Sequence, residues 1–263
     1  MEFIDIHNHL AWEIDDGMPS KEDAIIALQQ ARKDGITTII STPHFVPGTH
    51  DVSNIDIIND RIDELKELAK TYDIEIYSGS EVFLNHEYLD MIDSKAFNTL
   101  ADSKYLLVEF DVRRNMDHND YAEDYLYELK VRGYQPVIAH VERYFPKGIV
   151  LDRVRSWIEL GCYIQVNRTS LLGTHGDVCR KNAEKLLREG MVHVIASDTH
   201  RSEGHRIAKL SDVYSLIEKD YGKENANLLL QGNPKHIINN EHLEEMKVIK
   251  KRSIFDRLRK KGR

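Results

Sequence analysis

Phe3-Ile4-Asp5-Ile6-His7-Asn8-His9, with Asp15-Asp16-Gly17 close behind, is an apolar run that ends on two histidines. Its first four residues read as a strand, and side chains in a strand alternate between faces. His7 and His9 therefore point the same way, one pleat apart, as the strand ends. Two imidazoles held that close suit one divalent ion, because neutral imidazole is a good ligand for zinc, iron and manganese. Taken alone, a histidine pair in a short polar run is as readily a surface accident. The rest of the chain decides between these readings.

Beyond Gly17, Ser20 reads as an N-cap with Asp23 three positions on. The amphipathic stretch from Ala24 to Lys33 reads as a helix stopped by Gly35, and Thr37 to Thr42 as a β-branched strand running into Pro43-His44. The same succession of helix, glycine and apolar strand recurs at Gly133 to His140, Gly161 to Asn167 and Gly190 to Asp198. Two further strands are expected at Ile74 to Tyr77, ending near Glu81, and at Tyr105 to Val108, ending at Glu109. Helices are expected near 57–72, 121–131 and 150–160. About seven strands alternating with helices indicate a parallel sheet covered by helices. The length of 263 residues fits closure into an α/β barrel, and a doubly wound open sheet fits the same pattern. No Pro/Gly/Ser-rich linker divides the chain, so a single domain over 1–243 and a basic tail over 244–263 are expected.

The chemistry gathers at the strand ends. His7, His9, His44, Glu81, Glu109, His140, Asp198 and His200 all fall at or just after them, and in an α/β barrel those ends converge on one face. A random scatter of 13 histidines would not sort this way. With Asp16, five histidines and four acids are available to bind two or three divalent ions. Two metals about 3.5–4 Å apart are a recurrent device for hydrolysing phosphate esters.

These pieces resemble the polymerase and histidinol phosphatase superfamily and, within it, the bacterial manganese-dependent protein-tyrosine phosphatases of capsule and exopolysaccharide operons. The resemblance rests on Asp5-Ile-His7-Asn-His9, Asp15-Asp16-Gly17, Ser41-Thr-Pro-His44, Gly79-Ser-Glu81, Leu107-Val-Glu109-Phe, Ile138-Ala-His140-Val-Glu-Arg143 and Ile195-Ala-Ser-Asp198-Thr-His200. It covers residues 1 to about 240 in the family's order. It implies a distorted (β/α)7-type, TIM-like barrel with a trinuclear site, most often loaded with manganese, though iron and zinc suit the same donors. His7, His9, Glu81 and Asp198 would hold one ion. Glu81, Glu109 and His140 would hold a second, and Asp16, His44 and His200 the third. Arg143 and Arg206 match arginines that bind phosphate in the family. The segments 45–50 and 201–205 match less well, which makes Arg206 the weaker assignment of the two. The implied substrate is a phosphotyrosyl protein, in the first place a bacterial tyrosine kinase. The nearer rival is a phosphoesterase acting on a metabolite such as histidinol phosphate. The more distant one is a non-enzymatic metal-binding or kinase-docking module. An amidohydrolase fits less well, because Glu81 and Glu109 stand where such barrels place a metal-bridging modified lysine.

Composition narrows the classes further. The net charge of -8 divides unevenly: 247–263 carries nine Lys/Arg against one acid, a net +8, and leaves the body at about -16. An acidic body argues against nucleic acid. The tail, with Ile254, Phe255 and Leu258 among its basic residues, reads either as a solvated end or as a basic amphipathic contact with an anionic membrane surface. No run of eighteen apolar residues and no signal-peptide pattern is present, and two unspaced cysteines fit a reducing cytoplasm, at most at the inner face of the membrane. Cys162-Tyr-Ile-Gln-Val-Asn-Arg168-Thr169 matches the spelling of a cysteine-dependent tyrosine phosphatase loop. That loop must curl its N–H groups around a phosphate. Here the intervening residues hold no glycine and read as a strand, so the match is a decoy.

Overall fold

The computed structural model describes residues 2–116 and 121–248. Its strands are β1 (Phe3–Asp5), β2 (Ile36–Ser41), β3 (His44–Phe45), β4 (Glu75–Ser78), β5 (Glu81–Phe83), β6 (Tyr105–Glu109), β7 (Gln135–Ile138), β8 (Tyr163–Asn167) and β9 (Val194–Ala196). All pair in parallel, in the orders β1-β2-β4 and β3-β5-β6-β7-β8-β9. β3 prolongs β2, and β5 prolongs β4, so the nine segments are seven strands in chain order. Both interruptions fall at one level. Pro43 has no N–H for the ladder. Across from it, a Cβ on Gly79 would stand 2.9 Å from the side chains of Ile40 and Thr42. The ladder resumes where the Glu81 N–H donates to the Pro43 carbonyl at 3.0 Å.

The ring returns from β9 to β1 beyond the strand ends. The Asp198 N–H donates to the His7 carbonyl at 2.9 Å and the His9 N–H to the Thr199 carbonyl at 2.8 Å, around a bridge between Asn8 and Thr199. Asp5, buried beside this seam, accepts from both the N–H and the hydroxyl of Ser197. Sequential order with this return describes a distorted barrel. A doubly wound sheet would reverse its order at a switch point.

Alternation sorts the apolar residues into two layers. Ile4, Ile6, Ile40, Leu107, Val137, Ala139, Val194 and Ala196 fill the barrel. Leu106, Val108, Ile138, Ile164, Val166 and Ile195 face outward, beneath the helices. Among those helices, α1 (Lys21–Asp34) starts at Ser20, whose side chain accepts from the Asp23 N–H, and stops at Gly35 with φ 95°. Helix α2 (Val52–Lys70) begins at an Asp51 capping box. Helices α3 (Tyr88–Ser94), α4 (Ala122–Val131) and α5 (Leu151–Glu159) follow β5, β6 and β7. Residues 241–248 run without regular structure along the body, with Met246 buried and the Lys247 N–H on Asn225. The basic tail from 249 onward, with the membrane contact expected of it, lies outside the described residues.

Candidate metal centre

All nine ligand candidates meet at the C-terminal face, with Glu81 in the middle. Its two oxygens stand 3.1 Å from His7 Nε2, 3.2 Å from His9 Nε2, 3.2 Å from His44 Nδ1 and 2.9 Å from His140 Nε2. Glu109 reaches His44 at 3.0 Å and His140 at 3.6 Å. Asp16 reaches His44 at 3.3 Å and His200 at 3.4 Å, and Asp198 reaches His200 at 3.2 Å. Their donor atoms form four overlapping groups, each within 4.8 Å: His9, Asp16, His44 and His200; His7, His9 and Asp198; His7, Glu81 and His140; His44, Glu81 and Glu109. The grouping departs from the expected partition in that Glu109 groups with His44 rather than His140, His140 with His7, and His9 also joins Asp16, His44 and His200.

The backbone strains to build this arrangement. Strict alternation would place His140 on the face of Ile138, under the helices. A φ of 33° at His140 interrupts the alternation, and the imidazole meets Glu81. Asp198 has φ 54° at the equivalent point of β9. Left-handed non-glycine residues cost roughly 1–3 kcal/mol each and collect at functional sites. Gly17 permits the first loop to fold back, because a Cβ there would overlap His9 at 2.4 Å.

The electrostatics suit cations. Burial pushes Glu109 up to about 7, with Glu81 beside it adding to the shift. Burial would raise Glu81 and Asp198 too, but His7 beside both, and Arg206 beside Asp198, hold them well below the carboxylate range. Four carboxylates and five imidazoles with facing lone pairs make a donor set for hard or borderline divalent ions.

A second layer orients these donors. His9 Nδ1 lies 2.6 Å from Asp15, which also accepts from the N–H groups of Gly17 and His44. A proton on Nδ1 there leaves Nε2 free to ligate. Asp15 is correspondingly held down to about 2: burial opposes this and His9 overcomes it. Strand β8 supplies no ligand but much of the support. Gln165 Oε1 stands 3.1 Å from His7 Nδ1 and accepts from the His140 N–H. Its Nε2 donates to Asn167, whose own Nδ2 donates to Asp198 at 2.6 Å. Glu142, buried and pushed up to about 7 by that burial, accepts from the Asn167 N–H. Sequence reasoning assigned no role to Gln165 or Asn167. Their one signal is that a strand of apolar residues carries amides at two successive inward positions.

Arg143 and Arg206 line a cavity of about 330 Å³ together with seven of the nine side chains, all but His7 and His9. Arg143 lies 3.6 Å from Asp198, while Arg206 is closer, 2.7 Å from Asp198 and 3.0 Å from His200 Nε2. The loop carrying Arg206, which matched the resemblance poorly, is pinned by Arg201 donating to the carbonyls of Asp16, Gly17 and His200. Arg201 carried no sequence signal. The cysteine decoy fails on geometry: Cys162 precedes β8 at the opposite end of the barrel, buried, and burial pushes its thiol up to about 12. Arg168 is bound bidentately to Asp212 through Nε and Nη2 of its guanidinium.

Comparison with known proteins agrees with this geometry. A family model described as capsular polysaccharide synthesis, CpsB/CapC, matches residues 3–239. The tyrosine-protein phosphatase CpsB of Streptococcus pneumoniae is 33% identical over 244 residues, covering 89% of this chain and 98% of that one. The tyrosine-protein phosphatase YwqE of Bacillus subtilis is 31% identical over 238 residues, 87% of this chain and 91% of its own. A solved structure from work on YwqE of Bacillus subtilis and CpsB of Streptococcus pneumoniae, described as unique metal-dependent tyrosine phosphatases, superposes with TM-score 0.78 at 27% identity, covering 94% of this chain and all of the other. With nearly the whole chain matched and the strand-end residues gathered as described, this protein belongs to the CpsB/CapC family of capsular polysaccharide synthesis.

Proposed function

We propose that this protein is a metal-dependent protein-tyrosine phosphatase acting in capsular polysaccharide synthesis. The observation that carries the reading is the convergence of eight buried or half-buried imidazoles and carboxylates, with the exposed Asp16 at their edge, beneath two arginines. In this reading His7, His9, Asp16, His44, Glu81, Glu109, His140, Asp198 and His200 would hold divalent ions, three per chain and manganese by preference. Such ions supply charge to the phosphoryl oxygens and acidify water at neutral pH.

The protein's own residues do the rest. Gln165, Asp15 and Asn167 hold His7, His9 and Asp198 in place, so little reorganisation remains during reaction. Arg143 and Arg206 present planar guanidinium forks to the phosphate oxygens, a geometry lysine cannot reproduce. Phe83, half-buried at the wall of the same cavity, offers apolar surface to an aryl ring. A phenolate with pKa about 10 leaves more readily than an alkoxide, so the reaction draws little on a general acid.

The names of the relatives support a phosphotyrosyl protein as substrate, and the capsular context supports a bacterial tyrosine kinase as that protein. Two unpaired cysteines support a cytoplasmic address, and no helix among the described residues is long and apolar enough to cross a membrane. The test is turnover of a phosphotyrosyl peptide and of histidinol phosphate after chelation, with manganese, iron and zinc restored singly. Peptide turnover that vanishes and returns with metal is expected. Full activity without metal overturns the reading, and preference for histidinol phosphate moves the substrate to a metabolite.

A further inference from the structure

Beside the metal cavity, and sharing Phe83, Phe110, Asp111 and Arg113 with it, lies a second depression of about 580 Å³. Its floor continues the barrel's rim at Phe83 and Phe110, and its far wall is built by Tyr121 and Tyr125 at the start of α4. Those two rings stack, with centroids 6.4 Å apart, and Tyr125 rests on Tyr88 at 4.6 Å. Tyr121 is nonetheless 66% exposed, so its ring offers its outer face to solvent. This volume exceeds what one phosphotyrosyl side chain needs once its phosphate lies over the metal centre.

The charge of the depression is distinctive. Among its described lining residues Asp111 is the single acid, and it faces two guanidiniums, Arg113 at 2.8 Å and Arg114 at 3.5 Å. Both arginines are more than three-quarters exposed. Two cations share one carboxylate, so the pair keeps a surplus positive charge on a body whose net charge is strongly negative. Arg113 grips Asp111 bidentately, whereas Arg114 makes one exposed 3.5 Å contact worth under about 1 kcal/mol, so an arriving carboxylate competes most readily for Arg114.

We propose that this depression binds the peptide residues flanking the phosphotyrosine, and that Arg113 and Arg114 select acidic residues there. The inference rests on the phosphotyrosine reading and adds a sequence preference to it. The arginines do not reach the phosphate in this role. They hold the flanking chain, while the aromatic wall covers its apolar atoms and leaves the phosphorylated ring to enter past Phe83.

The test uses the full-length, metal-loaded protein with free phosphotyrosine and three phosphotyrosyl peptides whose flanks are acidic, neutral or basic. In the native protein kcat/KM for the acidic peptide should exceed that for the basic one about tenfold at low salt and less at high salt, as solvent-exposed charge pairs require. In the double variant Arg113→Glu, Arg114→Glu the order should invert. A native ratio within about twofold overturns the preference, because surface charge complementarity of this size produces more. So does a double variant that keeps the native ratio. No turnover even of free phosphotyrosine overturns the functional reading, and this inference with it. Normal turnover of free phosphotyrosine with no ranking of the peptides removes this inference alone.

Discussion

Strands β8 and β9 lie side by side in register, Gln165 opposite Val194 and Asn167 opposite Ala196, yet their ends do opposite things. The end of β9 carries Asp198 and His200, charged or chargeable groups that face the centre of the site. The end of β8 carries Gln165 and Asn167, which face the same site and add no charge to it. The difference has an electrostatic reason. Four carboxylates already crowd one cavity, and burial plus the neighbouring Glu81 hold Glu109 near 7. A further acid at the end of β8 would raise the cost of assembling the site. A neutral amide can accept from a histidine and donate to a carboxylate at once without that penalty.

The largest effect should come from the charged side of this comparison. Glu81→Gln keeps the shape but removes the charge that four histidines face. Metal content and kcat/KM should fall together, well beyond the ~10–100-fold typical of outer-layer residues. Retained metal and near-normal turnover would place the centre elsewhere. Arg143→Ala comes next. It cannot coordinate a cation, so metal should remain while kcat/KM drops about a hundredfold, as for a lost donor to developing oxyanion charge. Arg206→Ala should act in the same direction, and metal analysis of that variant shows whether its contact with Asp198 also steadies the ligands.

The amide side should respond more gently. Gln165→Leu and Asn167→Leu are expected to weaken metal affinity by roughly tenfold, with turnover largely recovered at saturating metal. If either matched Glu81→Gln, the division between ligand and support would collapse. The smallest effect belongs to the other end of β8. Cys162→Ser should leave kcat/KM within about twofold while lowering the unfolding free energy, read by denaturant titration, by roughly 1–3 kcal/mol, the cost of burying a hydroxyl without assured partners. A loss of several orders of magnitude in turnover would instead restore a thiolate mechanism.

The stretch from Phe3 to His9 shows how far local information reaches. Residue type announced a metal site, and alternation placed His7 and His9 together, which the 3.3 Å between their Nε2 atoms matches. The strand itself stops at Asp5, and the extended run beyond it is held by the bridge to Thr199 rather than by a ladder. At His140 the same alternation pointed the wrong way, and a left-handed backbone turned the ring inward. The loop of Arg201 and Arg206 resisted reading because its order comes from carbonyls of the first loop, 184 and 185 residues away in the chain.

From its sequence alone this protein was bound to form a parallel α/β sheet of about seven strands with metal-ligating chemistry at the strand ends, because periodicity and residue type are properties of short segments. Tertiary structure alone decided that β2 and β4 break at the same level, that Glu81 became the hub, and that Gln165, 158 residues from His7, became its support. A neutral amide carries no sign of which charge it will meet. Only the closure of the ring, which brings β8 and β9 back against β1, selects its partner.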